Sequence, residues 1–409
     1  MITRNRQAAI WITALLLGAG IGLLNIEWIN QIMAVVAKIY TRLFQLLAIP
    51  TIAIAVIATM MKMGEEKGMG RMFIKTIRYT LLTTFLASAV GIAAYYLVSP
   101  GNLAQSFLST DNNPVSTGTD HVSYLDYLIE TIPDNIVKPF ASGNVLGVLM
   151  LAFAFGIGIS RIPVSDARQT LKNFVTGAQD LLFMLIRWLI AVLPLGILAY
   201  AAQLATQVSG GVIMESLGKY TLVVIAANLL QMFVVLPSFL GVHKINPFRA
   251  MARMSPALLT AFFTKSSAAT LPLTISIAES RMRVSPKVAR FVLPICTTLN
   301  MNGCAAFIAV TSIFVMQNAG ITLSLPQICL WVLISVISAV GNAGVPMGCY
   351  FLTVSLVSDV EGAMAIMGVI LPIYTIIDMV ETCENVWSDS CVAIAINKTM
   401  DQFGEKRCG

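Results

Sequence analysis

"SPALLTAFFTKSSAATLPLTISIAE", residues 255–279, is apolar at both ends and interrupted in the middle by Lys265-Ser266-Ser267 and then Pro272. Proline removes a helical hydrogen bond, and serines compete for backbone groups, so one straight helix is a poor reading. Arg249 and Arg253 precede the segment, and Arg281 and Arg283 follow it. Lys and Arg collect on the cytoplasmic side of a membrane protein. Two basic flanks around one apolar segment therefore predict a hairpin that enters the membrane and returns. A marginal span with a misplaced loop is the competing reading, and the charge bias favours it less.

A second interrupted segment, 326–358, carries GNAGVPMG at 341–348, and its flanks 317–325 and 359–362 hold no basic residue. It reads as a hairpin entering from outside. Each hairpin precedes an apolar helix, 286–316 and 362–397, so the same unit occurs twice in opposite orientation. Paired, broken apolar segments point to the binding site of a secondary transporter. Irregular backbone at membrane depth is tolerated only when buried in protein or lining a cavity.

The rest of the 409 residues fits a membrane setting. The chain is 57% hydrophobic and 11% charged, with a mean hydropathy of +0.81; soluble domains are roughly a quarter charged. Apolar runs near 8–25, 31–61, 73–98, 143–160, 178–205 and 220–242 approach or exceed the roughly 20 residues that cross a bilayer. With the two helices above, the expectation is an all-α polytopic membrane protein of eight transmembrane helices plus two re-entrant helical hairpins. Segment 123–142 reads as a partly helical approach to the fourth span, and 99–122 as a polar outer loop.

The net charge of +6 lies in the connections. Segments 62–78, 161–172, 243–253 and 281–290 are basic, whereas 98–122 and 317–328 contain neither Lys nor Arg. This pattern predicts a multi-pass protein of the cell inner (plasma) membrane with cytoplasmic termini, and speaks for the lipid bilayer rather than nucleic acid as partner. The first apolar run lacks a small-residue cleavage site, so it reads as a retained helix. The seven cysteines all fall after residue 295 and none forms a CxxC pair. They read as small apolar residues, with neither a disulfide framework nor a metal-site spacing. There is no HExxH, P-loop or nucleophile elbow, and the two histidines, His121 and His243, lie in expected loops. Enzymatic chemistry is therefore not expected.

The sequence IIDMVETCENVWSDS, 376–390, places four acids in this apolar chain. On a helix turning about 100° per residue, with Asp378 at zero, Thr382, Asn385, Asp389 and Glu381 fall at about 40°, 340°, 20° and 300°. They form one polar stripe, and Glu384, near 240°, falls off it. Charges at membrane depth are costly and mark function. A solvated helix end is the competing reading for Glu384 and Asp389. It fits Asp378 poorly, because VILPIYTII (369–377) precedes it. In TTLNMNGCAAF, 297–307, Asn300 and Asn302 interrupt an apolar helix, with Gly303 to break it. Amide oxygens, freed carbonyls and an acid suit a hard cation such as Na⁺. Both hairpin tips offer N–H groups at half-helix N-termini, which bind carboxylates. An α-carboxylate at the tips and an α-ammonium on Asp378 would together hold a zwitterionic amino acid.

Four motifs resemble, in their order, the dicarboxylate/amino acid:cation symporter family, which includes glutamate and neutral amino acid transporters. They are Lys265-Ser266-Ser267-Ala268-Ala269-Thr270-Leu271-Pro272, Asn300-Met301-Asn302-Gly303, Ala343-Gly344-Val345-Pro346 and Asp378…Thr382…Asn385…Asp389. The resemblance covers nearly the whole chain. It implies a homotrimer of elevator-type protomers. Residues 1–71 would form scaffold helices 1–2, 72–98 a transport-domain helix, 99–218 scaffold helices 4–5, and 219–409 the remaining transport domain with both hairpins. The implied substrate site is Ser266, Ser267, Cys304, Val345, Cys349, Asp378, Glu381, Thr382 and Asn385, with Asp378 taking the amine. The implied sodium ligands are Cys296, Thr298, Asn300, Met301, Asn342, Asn385 and Asp389, the coupled ion being Na⁺.

Three departures set this chain apart from the acidic carriers. Glu381 stands where they have arginine, as in the neutral serine/threonine branch. Asn302 replaces an aspartate of a third sodium site, and Thr80 a tyrosine there, so that site is expected to be weak or lost. Cys304 and Cys349 replace small or hydroxylic residues of the pocket. The implied function is sodium-coupled import of neutral, small polar amino acids. The alternative is a sodium- or proton-coupled glutamate/aspartate or dicarboxylate symporter, with Lys265 as the cationic partner.

Overall fold

The structure, a computed structural model, describes residues 4–63, 70–103, 133–142, 145–207, 212–342 and 347–405. All regular structure among them is helical. Helices α1 (Arg4–Leu23), α2 (Glu27–Met63) and α3 (Gly70–Val98) come first. Then follow the short α4 (Lys138–Ser142), α5 (Val145–Arg161), α6 (Asp166–Ala191), α7 (Leu193–Gln207) and α8 (Val212–Leu230). A π-helical turn, Gln231–Val235, leads directly into α9 (Leu236–Val242). The C-terminal half holds α10 (Pro247–Thr264), α11 (Ser267–Ser280), α12 (Pro286–Leu299), α13 (Asn302–Asn318), α14 (Leu325–Gly341), α15 (Gly348–Leu356) and α16 (Ala363–Glu405).

Among the described residues, Met72–Val98, Glu215–Val242 and Pro286–Asn318 are long and apolar enough to cross a membrane. The pair Ala363–Leu371 and Ile373–Met400, bent by 70°, would make a fourth. That bend falls at Pro372, which has no N–H to donate to the helix. The run at 178–205 is not one helix as expected. It divides into α6 and α7 around Val192, just before Pro194. Of the expected helical approach 123–142, residues 123–132 lie outside the described residues, and helix begins only at Lys138.

The first interrupted segment is a helical hairpin. The α10 helix ends at Lys265, whose φ of 51° is left-handed, a conformation uncommon outside glycine. Ser266 then caps α11 by accepting a hydrogen bond from the Ala269 N–H. Thr270 Oγ1 donates to the Ser266 carbonyl at 2.9 Å, so the turn's polar groups find local partners. Arg290 of α12 holds Glu279 of α11 with two hydrogen bonds, 2.7 and 3.1 Å. In the second interrupted segment α14 ends at Gly341 and α15 begins at Gly348. The intervening Ala343, Gly344, Val345 and Pro346 lie outside the described residues.

Two buried cores are threaded by α16. One is built on α13, which is buried almost throughout, with α2, α7, α15 and the start of α16. The other joins α10, α11 and α12 to the second half of α16. The α3 helix presents a line of hydroxyls, Thr76, Thr80, Thr83, Thr84 and Ser88, all 1% exposed or less. It packs against α13 and α14, and Ser88 meets Ser335 at 2.6 Å.

In lipid, helices associate through close packing rather than a hydrophobic driving force. The contact of α1 with α7 shows how. A Cβ on Gly18 would lie 2.3 Å from the Leu198 carbonyl oxygen, and one on Gly22 would lie 2.2 Å from that of Ala202. Nothing lies within 4 Å of a Cβ on Gly20, between them. Gly18→Leu and Gly22→Leu are therefore expected to destabilise the protein by about 1–3 kcal/mol each, whereas Gly20→Leu changes little. Thermal unfolding of the three purified variants checks this, and equal melting temperatures would reject the packing account.

Candidate functional site

The site forms where α12 gives way to α13. Asn300 and Met301 leave helical geometry, with ψ near 65° at both, and both are buried. The regular ladder is thus interrupted at the centre of an apolar segment, although the Met301 carbonyl still accepts the Ala305 N–H at 3.0 Å. The break precedes Gly303, contrary to the expectation that Gly303 makes it. Gly303 instead permits close packing: a Cβ there would lie 2.7 Å from Asn228 Oδ1 and 2.9 Å from the Glu381 Cα.

The polar stripe of α16 faces this break. The Gly303 N–H, at the start of α13, donates to Asn385 Oδ1 at 2.9 Å. Asn300 Nδ2 donates to Ser388 Oγ at 2.8 Å and to Asp389 Oδ1 at 3.1 Å. Thr297 Oγ1 donates to Asp389 Oδ2 at 3.3 Å, and Asn302 Nδ2 to Ser388 Oγ at 2.7 Å. From α3, Thr83 Oγ1 donates to Asn300 Oδ1 at 3.1 Å, and Thr84 Oγ1 to Asn302 Oδ1 at 2.8 Å. Asp389, 1% exposed, is thus a buried hydrogen-bonded carboxylate and not a solvated helix end. Oxygen donors with a single carboxylate and no imidazole suit a hard cation of low charge.

The remaining sodium candidates divide. The Cys296 carbonyl accepts the Asn300 N–H at 2.7 Å, and the Cys296 Sγ lies 3.8 Å from Thr80 Oγ1. Met301 is buried beside the break, whereas the Thr298 hydroxyl turns to its own helix, donating to the Ile295 carbonyl at 2.9 Å. Asn342 closes α14 with its Oδ1 buried and without a hydrogen bond.

The substrate candidates gather one turn earlier on α16. Thr382 Oγ1 donates to Asp378 Oδ1 at 3.4 Å, and Lys265 at the first hairpin tip lies within electrostatic reach of Asp378. Ser266 spends its hydroxyl on capping α11, while Ser267, the first residue of that helix, is buried. Glu381 is buried and accepts the Tyr374 hydroxyl at 3.3 Å. Its carboxylate and the sulfurs of Cys304 and Cys349 lie within 4.8 Å of one another. Val345 lies outside the described residues.

Two readings need correction. Cys304 and Cys349 are joined by a disulfide that links α13 to α15, so they are not merely small apolar wall residues. Their Cα atoms face each other at 5.3 Å, within the range that a bridge requires. The Asn342 amide donates to both sulfurs, at 3.1 and 3.3 Å. Glu384 is 0% exposed, which overturns its reading as a solvated acid; the helix wheel places it off the stripe, but neighbouring helices bury that side too. Sequence reasoning also passed over Asn228 and Gln231, both buried. Their signal was available: they are the two polar residues of the run LVVIAANLLQMFVVL, 222–236, three positions apart. His243 is structural in its contacts, bridging the Phe239 carbonyl and the Tyr79 hydroxyl.

The profile of the sodium:dicarboxylate symporter family matches residues 8–399. The chain belongs to that family. It is therefore a membrane protein of a sodium-dependent symporter family of amino acid transport. It is 27% identical to a putative sodium-dependent excitatory amino acid transporter, glt-4, of Caenorhabditis elegans, over 90% of this chain and 83% of that protein. It is 26% identical to neutral amino acid transporter A of Homo sapiens, over 94% and 81%. It is 25% identical to the proton/sodium-glutamate symport protein of Bacillus caldotenax, over 91% and 89%.

Asp389→Asn keeps the hydrogen-bonding shape and removes the charge. The sodium concentration for half-maximal uptake is expected to rise at least about tenfold, with substrate affinity at saturating sodium little changed. An unaltered sodium dependence in proteoliposomes would remove Asp389 from the ion site.

Proposed function

We propose that this protein is a sodium-coupled symporter that imports neutral, small polar amino acids. Asp378 takes the α-ammonium. Thr382 and Asn385 orient the amino acid, and the hairpin tips, with Ser267 and the Val345 N–H, receive its α-carboxylate. Sodium held by Asn300, Asn385 and Asp389 prepares the site, and sodium near Thr298, Met301 and Asn342 accompanies closure of the second hairpin. The hairpins, α3, α8–α9, α12–α13 and α16 move as one body against the rest of each protomer of a homotrimer.

The observation that carries the neutral-substrate reading is Glu381. It is a buried carboxylate one turn from Asp378 and next to Thr382, held by Tyr374. A substrate's second carboxylate would meet like charge there, in surroundings that screen charge poorly. The alternative, an acidic substrate, is favoured by Lys265 on the Asp378 side of the site. Lysine is a point charge without the fork that reads a carboxylate bidentately.

Uptake of labelled serine into proteoliposomes with a sodium gradient, challenged by unlabelled amino acids, separates the two. Alanine and threonine are expected to compete, and aspartate and glutamate are not. Block by the acids would reverse the reading. Glu381→Arg is expected to let aspartate compete, since the guanidinium replaces repulsion with a bidentate partner. Asp378→Asn loses the charged partner of the amine, worth about 1.5–3 kcal/mol. That corresponds to roughly 10- to 150-fold in substrate affinity, and normal affinity in this variant would move the amine site elsewhere.

A further inference from the structure

The acids of α16 are matched unequally. Asp378 has Lys265 and Thr382 nearby, Glu381 has Tyr374, and Asp389 has Asn300 and Thr297. Glu384 has none of these. It is 0% exposed, and neither of its oxygens makes a hydrogen bond. The Asn302 amide and the Gly303 N–H are its polar neighbours, and each also donates to another acceptor, Ser388 Oγ and Asn385 Oδ1. A buried carboxylate left in this condition is among the costliest groups a protein can hold.

Two more unsatisfied oxygens border the same place. Asn228 uses its Nδ2 on the Val224 carbonyl at 2.9 Å, and its Oδ1 stays without a partner against Gly303. Gln231 opens the π-helical turn and uses its Nε2 on the Thr83 carbonyl at 3.0 Å, leaving Oε1 without a partner. Thr83 in turn donates to both Asn300 and Asn302. The orphaned groups thus have one character. They are oxygen acceptors from α8, the π-turn and α16, grouped around Thr83, Asn302 and Gly303. The orphaned atoms are all acceptors, which a bound cation can satisfy and another hydrogen-bond acceptor cannot. A single carboxylate with amide oxygens suits a hard monovalent ion. π-Turns inside helices recur at functional sites.

We propose that Glu384, with Asn228 and Gln231 as neutral oxygen donors, supplies the charge of a further sodium site beside Asn302, separate from the one at Asn385 and Asp389. Position 302 lacks the carboxylate expected of a third ion site, and α16 provides it from the opposite side. The sodium-coupling role of this site rests on the symport reading above; ion binding itself does not.

The experiment uses the full chain and two readouts. In the first, thermal stability is followed against NaCl, with choline chloride holding ionic strength, and no amino acid present. Glu384→Gln is expected to need at least tenfold more sodium for its half-maximal shift, and Asn228→Ala severalfold more. Asp389→Asn shifts a separate component of the titration, and its effect adds to that of Glu384→Gln. In the second, the reversal potential of serine flux in proteoliposomes counts sodium ions per substrate, and Glu384→Gln is expected to couple one fewer. Unchanged titration curves and an unchanged coupling number in both variants overturn the proposal and point to a proton on Glu384. If Glu384→Gln does not fold, the sodium shift of Asn228→Ala decides alone. Absence of serine flux in the unaltered protein counts against the symport reading, while the substrate-free titration still decides the ion site.

Discussion

Everything in the C-terminal half depends on one constraint: an unwound pair, Asn300–Met301, is buried inside an apolar chain. Backbone groups freed at membrane depth must be satisfied by protein or by a bound species. The polar stripe of α16 receives the Gly303 N–H on Asn385 and holds the Asn300 side chain through Ser388 and Asp389, and the α3 hydroxyl of Thr83 holds that side chain from the other side. This explains why polar residues cluster in three separate segments of a chain only 11% charged. Each segment is a poor membrane helix alone and a satisfied one in the company of the other two.

The same arrangement supplies what the proposed ion site requires. Carboxylates and amides that hold an irregular backbone together are oxygen donors with directions already set. The hairpins bring the complementary chemistry. The first presents a half-helix N-terminus capped by Ser266, next to Lys265 in a left-handed conformation. The second is tied to α13 through the Cys304–Cys349 bridge and the Asn342 amide. Strain, freed backbone and buried charge thus occur together, where binding energy can act on them.

Much of this was legible in the primary structure, for identifiable reasons. Interruptions by Lys265-Ser266-Ser267 and by GNAGVPMG disclosed where the helices break, because proline and small residues at such density are incompatible with a continuous span. The wheel of 378–389 placed Asp378, Thr382, Asn385 and Asp389 on one face because helical period is local. Less legible were features set by neighbours. Gly303 serves not to break the helix but to accommodate Asn228 and the α16 backbone, which lie on other elements. The division of 178–205 into α6 and α7 was signalled by Pro194 but masked by the continuity of the apolar run.

The sequence by itself therefore determined the all-helical class, the interrupted segments and the residues of the main polar stripe, since these depend on composition and short-range period. Only the tertiary structure decided which polar groups are satisfied. Glu384 lies off the stripe, so its helix alone suggests an outward acid, yet packing of α8 and α13 against α16 buries it beside the Asn302 amide and the Gly303 N–H. Likewise Cys304 and Cys349 stand 45 residues apart, and no local rule pairs them. Burial and pairing are properties of the surfaces that come together, and those surfaces belong to different segments of the chain.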